Sequence, residues 1–317
     1  MNISIVIPVK NEGKHIRQCI AGWLGQTVPV HEIIVIDSGS TDDTLSILAE
    51  FPQVTVIEIP GSDFNHGTTR NLGAGKTSGD LILMTVGDAR PLDDQVLERM
   101  QACFDKESIA GVCGSQVVPH DLDKNPVEWF RPYSEPTVSE YSFPNEGEYD
   151  AIEPDRKHNV TGWDDVIAMY RGDILRNEIP FREITYGEDA QWAQEAYRAG
   201  KTLVFCPAAR VYHYHLENAE VTFKRAITMY YLRYRMFGVE PTRPPMVQPI
   251  ASAVKRLLKE KSLSFSDRFK WLKHNIRYRI AIHRAYRRFS AAINGGQDQI
   301  EALHQEFTGK QFKVTSK

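Results

Sequence analysis

Short apolar runs alternate with stretches of helical periodicity over most of the chain. Residues 3–9, 32–36, 54–59 and 81–85 are apolar almost without interruption, the pattern of strands buried on both faces. Between them, residues 14–26 place Ile16, Cys19, Ile20, Trp23 and Leu24 at helical spacing, and shorter helices are predicted over 43–50 and 68–76. This alternation gives βαβ units and so predicts an α/β fold with a Rossmann-like, mainly parallel sheet flanked by helices. A helix over 93–105 and a strand over 110–118 follow. Residues 119–158 lack periodicity and read as one long loop, 164–171 read as a helix-like run, and a helix through Trp192 and Tyr197 reaches Gly200. Residues 202–206 form a last strand, and 210–215 a strand-like stretch with His213 and His215 on one face. Beyond 221 the pattern turns helical and basic.

The chemistry sits at the strand ends, where open α/β sheets bind their ligands. Asn11 and Glu12 follow the first strand, Asp37 and Ser38 the second, and Asp88 the fourth, which Pro91 keeps from continuing. Arg70 and Asn71 lie in a loop-to-helix segment, and His213 and His215 follow the last strand. Singly, each is more often a turn or capping residue than a ligand. Together on one sheet edge they make a nucleotide-diphosphate site, with a carboxylate for a hard cation, a guanidinium for a diphosphate and an Asp for a base. Neither GxGxxG nor GxxxxGK[ST] occurs, which speaks against dinucleotide and P-loop sites. Glu188 and Asp189 open a helix, where acidic side chains also suit the dipole.

Composition narrows the class. At 317 residues, 42% hydrophobic and 25% charged, the chain suits one large globular domain, or one domain with an extension. The four cysteines, Cys19, Cys103, Cys113 and Cys206, are scattered without a CxxC pair and suit a reducing cytosol. The N-terminus has no signal-peptide pattern, and no apolar run approaches the ~20 residues of a membrane span. The net charge of −3 conceals an asymmetry. Residues 221–290 carry 17 Lys/Arg against 3 Asp/Glu, whereas residues 1–220 carry 18 against 35.

In order along the chain, PVKNE (8–12), IDSGSTDDT (36–44), TRNLGA (69–74), TVGDARP (85–91), YGEDAQWA (186–193) and YHYH (212–215) resemble the inverting family-2 glycosyltransferases of GT-A fold. DFNHGTTRNLGA (63–74) and the single-carboxylate GDA are similar to their rhamnosyltransferase-like subgroup. The resemblance implies a catalytic domain over 1–220, its donor half about 1–118 and its acceptor half about 119–220, followed by an extension over 221–317. It implies nucleotide-sugar contacts from Pro8, Asn11, Glu12, Asp37, Ser38, His66, Arg70, Asn71, Asp88 and Ala89. Among these, Glu12 and Asp37 would read base and ribose, and Arg70 the diphosphate. Asp88 is similar to the metal-binding Asp of the family. Gly87 and Ala89 offer no second carboxylate, so Mg²⁺ or Mn²⁺ would take a further ligand from His213 or His215. Asp189 matches the general base, with Glu188 as an acceptor ligand or a modulator of its pKa. Asn159, Trp163 and Trp192 are the candidate acceptor-site residues, although a Trp at helical spacing is usually core. The sequon Asn159-Val160-Thr161 is taken as chance.

The implied activity is transfer of a sugar, rhamnose or another hexose, from a nucleotide-diphosphate donor to a glycan or lipid-linked acceptor of a bacterial surface polysaccharide. Its expected location is the cytoplasm, peripheral on the inner face of the plasma membrane. The basic extension, with Trp271, Ile276 and Ile280 among its cations, suits an anionic membrane surface, and equally a solvated hairpin or a homodimer interface. The acidic body opposes nucleic acid. The alternative function is a catalytically weak module that binds a nucleotide sugar or a membrane surface.

Overall fold

A computed structural model describes residues 1–132 and 136–308. The chain forms two compact units. The first joins Met1–Val117 to Pro132–His213; the second holds Val118–Arg131 together with residues 214–308.

The first unit alternates as the apolar pattern predicts: β1 (Ile3–Val9), α1 (Ile16–Leu24), β2 (Val30–Asp37), α2 (Thr44–Leu48), β3 (Val54–Glu58), α3 (His66–Ala74) and β4 (Leu81–Thr85). Then come β5 (Arg90–Pro91), α4 (Val96–Ala102), β6 (Ile109–Val117), β7 (Ser139–Tyr141), α5 (Glu146–Asp150), α6 (Pro154–Val160), β8 (Ile167–Arg171), α7 (Glu188–Arg198) and β9 (Thr202–Tyr212). Among the described residues these strands make one sheet in the order β3-β2-β1-β4-β8-β6-β9-β5, with β7 on β9. Pairing is parallel across β3-β2-β1-β4 and between β6 and β9, and antiparallel on either side of β8. Every residue of β4 is buried, and burial of each large side chain contributes roughly 1.5–3 kcal/mol. One core layer packs Ile16, Ile20 and Trp23 of α1 on the sheet, and the other packs Trp163, Tyr170, Trp192 and Tyr197. α3 lies so close to β1 that a Cβ on Gly73 would stand 2.3 Å from Val6 Cγ1, so only glycine fits there.

Three expectations change. Residues 167–171 are a strand, not a helix: Ile167, Ala168, Met169 and Tyr170 are all buried between β4 and β6, and a short apolar run does not distinguish the two by period. The segment expected as a featureless loop contains β7, α5 and α6. Residues 202–206 and 210–212 are one strand, so His213 is the first residue beyond the sheet.

The second unit is helical: α8 (Ala219–Phe237), α9 (Val247–Lys259), α10 (Phe265–Asn294) and α11 (Gln297–Thr308). Ile227, Tyr231, Phe289, Ile300 and Leu303 form one core, and Trp129, Leu257, Leu263 and Trp271 another. Buried Asn125 donates to Asn275 of α10 at 3.2 Å and accepts from it at 3.0 Å, which ties the 118–131 segment to this unit. Among the described residues no helix is long and apolar enough to cross a membrane, and all four cysteines are free.

Candidate active site

The turns after β1 and β2 are stitched together. Asn11 takes the left-handed conformation (φ 57°), which Asn tolerates better than most residues, and its Oδ1 accepts the Thr41 amide at 2.8 Å. The Glu12 amide donates to Thr44 Oγ1 at 2.8 Å. Asp37 is buried and closes its own turn, its Oδ2 accepting the Gly39 and Ser40 amides at 2.9 Å each and its Oδ1 the Ser40 hydroxyl. Ser38, also buried, donates to the Val9 carbonyl at 3.1 Å. β1 pairs with β4 only as far as Val6, so the missing N–H of half-buried Pro8 falls where that ladder has opened.

Past β4, a Cβ on Gly87 would stand 2.8 Å from Glu12 Cγ; glycine there lets Glu12 lie over the strand end. Burial, then the charges of Asp88 and Asp42, push the Glu12 carboxyl up to about 7, with His213 opposing. His213 Nε2 faces Asp88 Oδ2 at 3.4 Å. Its Nδ1 donates to Gln116 Oε1 at 2.6 Å, and the Gln116 amide nitrogen in turn donates to the Asp164 carboxylate. Because Asp164 only accepts, Gln116 must turn its oxygen to His213, which places the ring hydrogen on Nδ1. In the neutral ring the Nε2 lone pair then points at a carboxylate oxygen. A carboxylate beside an imidazole nitrogen suits a divalent metal. His215 lies two residues on, in the second unit.

At the start of α7, after Gly187 at φ 81°, Glu188 and Asp189 sit in a carboxylate cluster. Arg70 is buried, its Nη1 bonded to Glu188 and its Nε 3.0 Å from Asp165 Oδ2, an ion pair whose N–H is misaligned for a hydrogen bond. Tyr170 donates to Asp165 and accepts from Trp163 Nε1 at 2.7 Å. Burial pushes the Asp165 carboxyl up to about 7 against the pull of Arg70. Asp189 keeps part of its side chain exposed, yet its carboxyl is held well above the ordinary range, by burial first and then by Glu188 and Asp165. His66, half-buried, places its Nδ1 3.4 Å from Arg70 Nη1 and packs edge-on against Phe64 at 4.8 Å.

The match with known proteins decides the family. Residues 4–177 match the model of glycosyl transferase family 2. The chain belongs to glycosyl transferase family 2. It is 30% identical over 232 residues to the O-antigen chain rhamnosyltransferase RfbN of Salmonella typhimurium, covering 71% of this chain and 70% of that protein. In fold it is similar to S. aureus TarS solved with UDP-GlcNAc (TM-score 0.55, 16% identity, 94% of this chain and 93% of that one). It is also similar to a mannosyltransferase of Pyrobaculum calidifontis solved with GDP-Man and Mn²⁺ (TM-score 0.54, 16% identity, 95% and 78%). The fold is thus the GT-A fold that the motifs implied.

Within this family-2 site several expected contacts are structural. Arg70 is enclosed by two carboxylates and is not presented to a diphosphate. The Asn71 side chain both donates to and accepts from the Phe181 backbone, at 2.8 and 3.0 Å. Asp37 and Ser38 build the turn after β2, and Ala89 is fully buried. Trp163 and Trp192 belong to the core, their indole N–H groups bonded to Tyr170 and the Ile179 carbonyl, so neither faces an acceptor; Asn159 is exposed on α6. Asn11, Glu12, His66, Asp88, Asp189 and His213 remain at least partly exposed. Sequence reasoning missed Gln116, Asp164 and Asp165. The adjacent carboxylates just ahead of a buried apolar run were the available signal for the last two, obscured by reading that run as a helix.

Proposed function

We propose that this family-2 enzyme is an inverting, metal-dependent glycosyltransferase. It moves a rhamnosyl or other hexosyl unit from a nucleoside-diphosphate donor to a glycan or lipid-linked acceptor, building a bacterial surface polysaccharide at the cytoplasmic face of the membrane. The rhamnosyltransferase activity of RfbN, and the nucleotide sugars bound by TarS and the mannosyltransferase, support the reaction class. The observation that carries the reading is the Asp88–His213 pair, with Nε2 3.4 Å from the carboxylate and Nδ1 held by Gln116 at 2.6 Å.

Asp88 and His213 would hold the divalent cation, which would supply positive charge to the departing diphosphate. Glu12, with Asn11 and the turn closed by Asp37, forms the nucleoside side of the site. Asp189 takes the proton of the acceptor hydroxyl as that oxygen attacks the anomeric carbon. Its raised pKa suits a base that must hold a proton after transfer. Glu188 stays paired with Arg70, and its charge helps to set the proton affinity of Asp189 rather than binding acceptor.

Transfer assays over a panel of nucleotide sugars test the assignment. Asp189→Asn is expected to abolish transfer while donor still binds, and Asp88→Asn to lose metal-supported donor binding. Transfer that survives Asp189→Asn but not Asp88→Asn would place the base elsewhere. Absence of turnover with every donor would favour a binding module.

A further inference from the structure

The second unit contains a cavity of about 820 Å³ between the N-terminal end of α8 and one face of α10. Two buried atoms on its lining residues, Thr222 Oγ1 and Trp271 Nε1, have no hydrogen-bond partner, on residues only 3% and 1% exposed. Lys270, Lys273, Arg277 and Arg284 line the wall at successive turns of α10, and no carboxylate pairs with any of them among the described residues. Lys270 and Arg284 instead lie over the Trp271 and Phe223 rings, at 4.7 and 5.4 Å. The carboxylate among the lining residues, Glu217, is paired with Arg225 at 2.6 Å. The start of α8, capped by Asn218, adds the positive end of a helix dipole. The lining also includes Leu216, Phe269 and Ile280, which are 53%, 64% and 44% exposed.

We propose that this cavity binds the phosphate headgroup of an anionic lipid. Unneutralised cations match a phosphate, and the exposed apolar side chains match the first methylenes of its chains. This is a discrete site rather than a diffuse attraction of a basic surface to a membrane, and it stands independently of the sugar-transfer reaction.

The test uses the full chain and needs no turnover. The Trp271 indole N–H resonance, assigned through Trp271→Phe, is expected to shift on titration with short-chain phosphatidic acid. Partition onto phosphatidylcholine vesicles containing phosphatidic acid should fall about thirtyfold in Lys273→Ala/Arg277→Ala. A control pair of exposed cations outside the cavity, Lys255→Ala/Arg287→Ala, should lower it by much less. Equal losses in the two pairs, or an unmoved Trp271 resonance in the unsubstituted protein, would overturn the site. A shift of equal size with inorganic pyrophosphate at the same concentration would overturn the lipid as its occupant.

Discussion

His213 presents Nε2 to Asp88 at 3.4 Å because its Nδ1 is bonded to Gln116 at 2.6 Å. The orientation of His213 is therefore set by a residue on β6, and Asp164 sets the orientation of that residue. The polar connection runs from Asp88 through His213, Gln116 and Asp164 to the neighbouring Asp165, and on to Arg70 and Glu188.

Removal of Gln116 should therefore weaken the metal without touching a ligand. Gln116→Leu is expected to raise the Mn²⁺ dissociation constant by about 10–100-fold, the range for residues that orient a metal-bound histidine. Mn²⁺ titration followed by electron paramagnetic resonance measures it. An unchanged constant would mean that the tautomer is not set this way.

Asp189→Asn should lower kcat by about 10²–10⁴-fold with little change in donor affinity, the range for loss of a general base. Because the folded protein holds this carboxyl well above its ordinary range, the acidic limb of the wild-type pH–rate profile should lie correspondingly high. A limb at the pH of an ordinary aspartate would contradict the assignment.

Arg70 is a structural cation between Asp165 and Glu188. Arg70→Met leaves two buried carboxylates unpaired, and denaturant unfolding should show a loss of about 3–5 kcal/mol. A stable variant with a selectively raised donor KM would restore Arg70 as a diphosphate contact.

Asp165 gives a pH dependence with a definite sign. Its carboxyl rises from an unfolded value of 3.8 to about 7, so the folded chain binds the proton more tightly. That contribution is fully present below about 4 and is lost as pH rises through about 7. Asp165→Asn should flatten this fall in stability, measured as denaturation midpoints across the window, although it lowers stability overall by breaking the contact with Arg70.

Strand and helix order were legible because β1, β2 and β4 are buried on both faces and α1 places its apolar side chains on one stripe. β8 was not, since five apolar residues carry too little period to separate a buried strand from a helix. Asp88 and Glu12 were readable because each follows a strand end, and Asp189 because it lies in the first turn of a helix that begins at a glycine turn. Asp37 spends its carboxylate on its own turn, and Ser38 and Asn71 spend their side chains on backbone partners distant in sequence, which only the fold discloses. Gln116 and Asp165 act through His213 and Arg70, contacts made 97 and 95 residues away. No local pattern announces a residue whose role is to orient another.

The central claim is a nucleotide-sugar transfer that depends on a cation at Asp88 and His213. Its most direct test is nucleoside-diphosphate release from a panel of nucleotide sugars, with Mn²⁺ and with EDTA. Release from at least one donor, abolished by EDTA and by Asp88→Asn, is the predicted result; release unaffected by EDTA, or none from any donor, would contradict it.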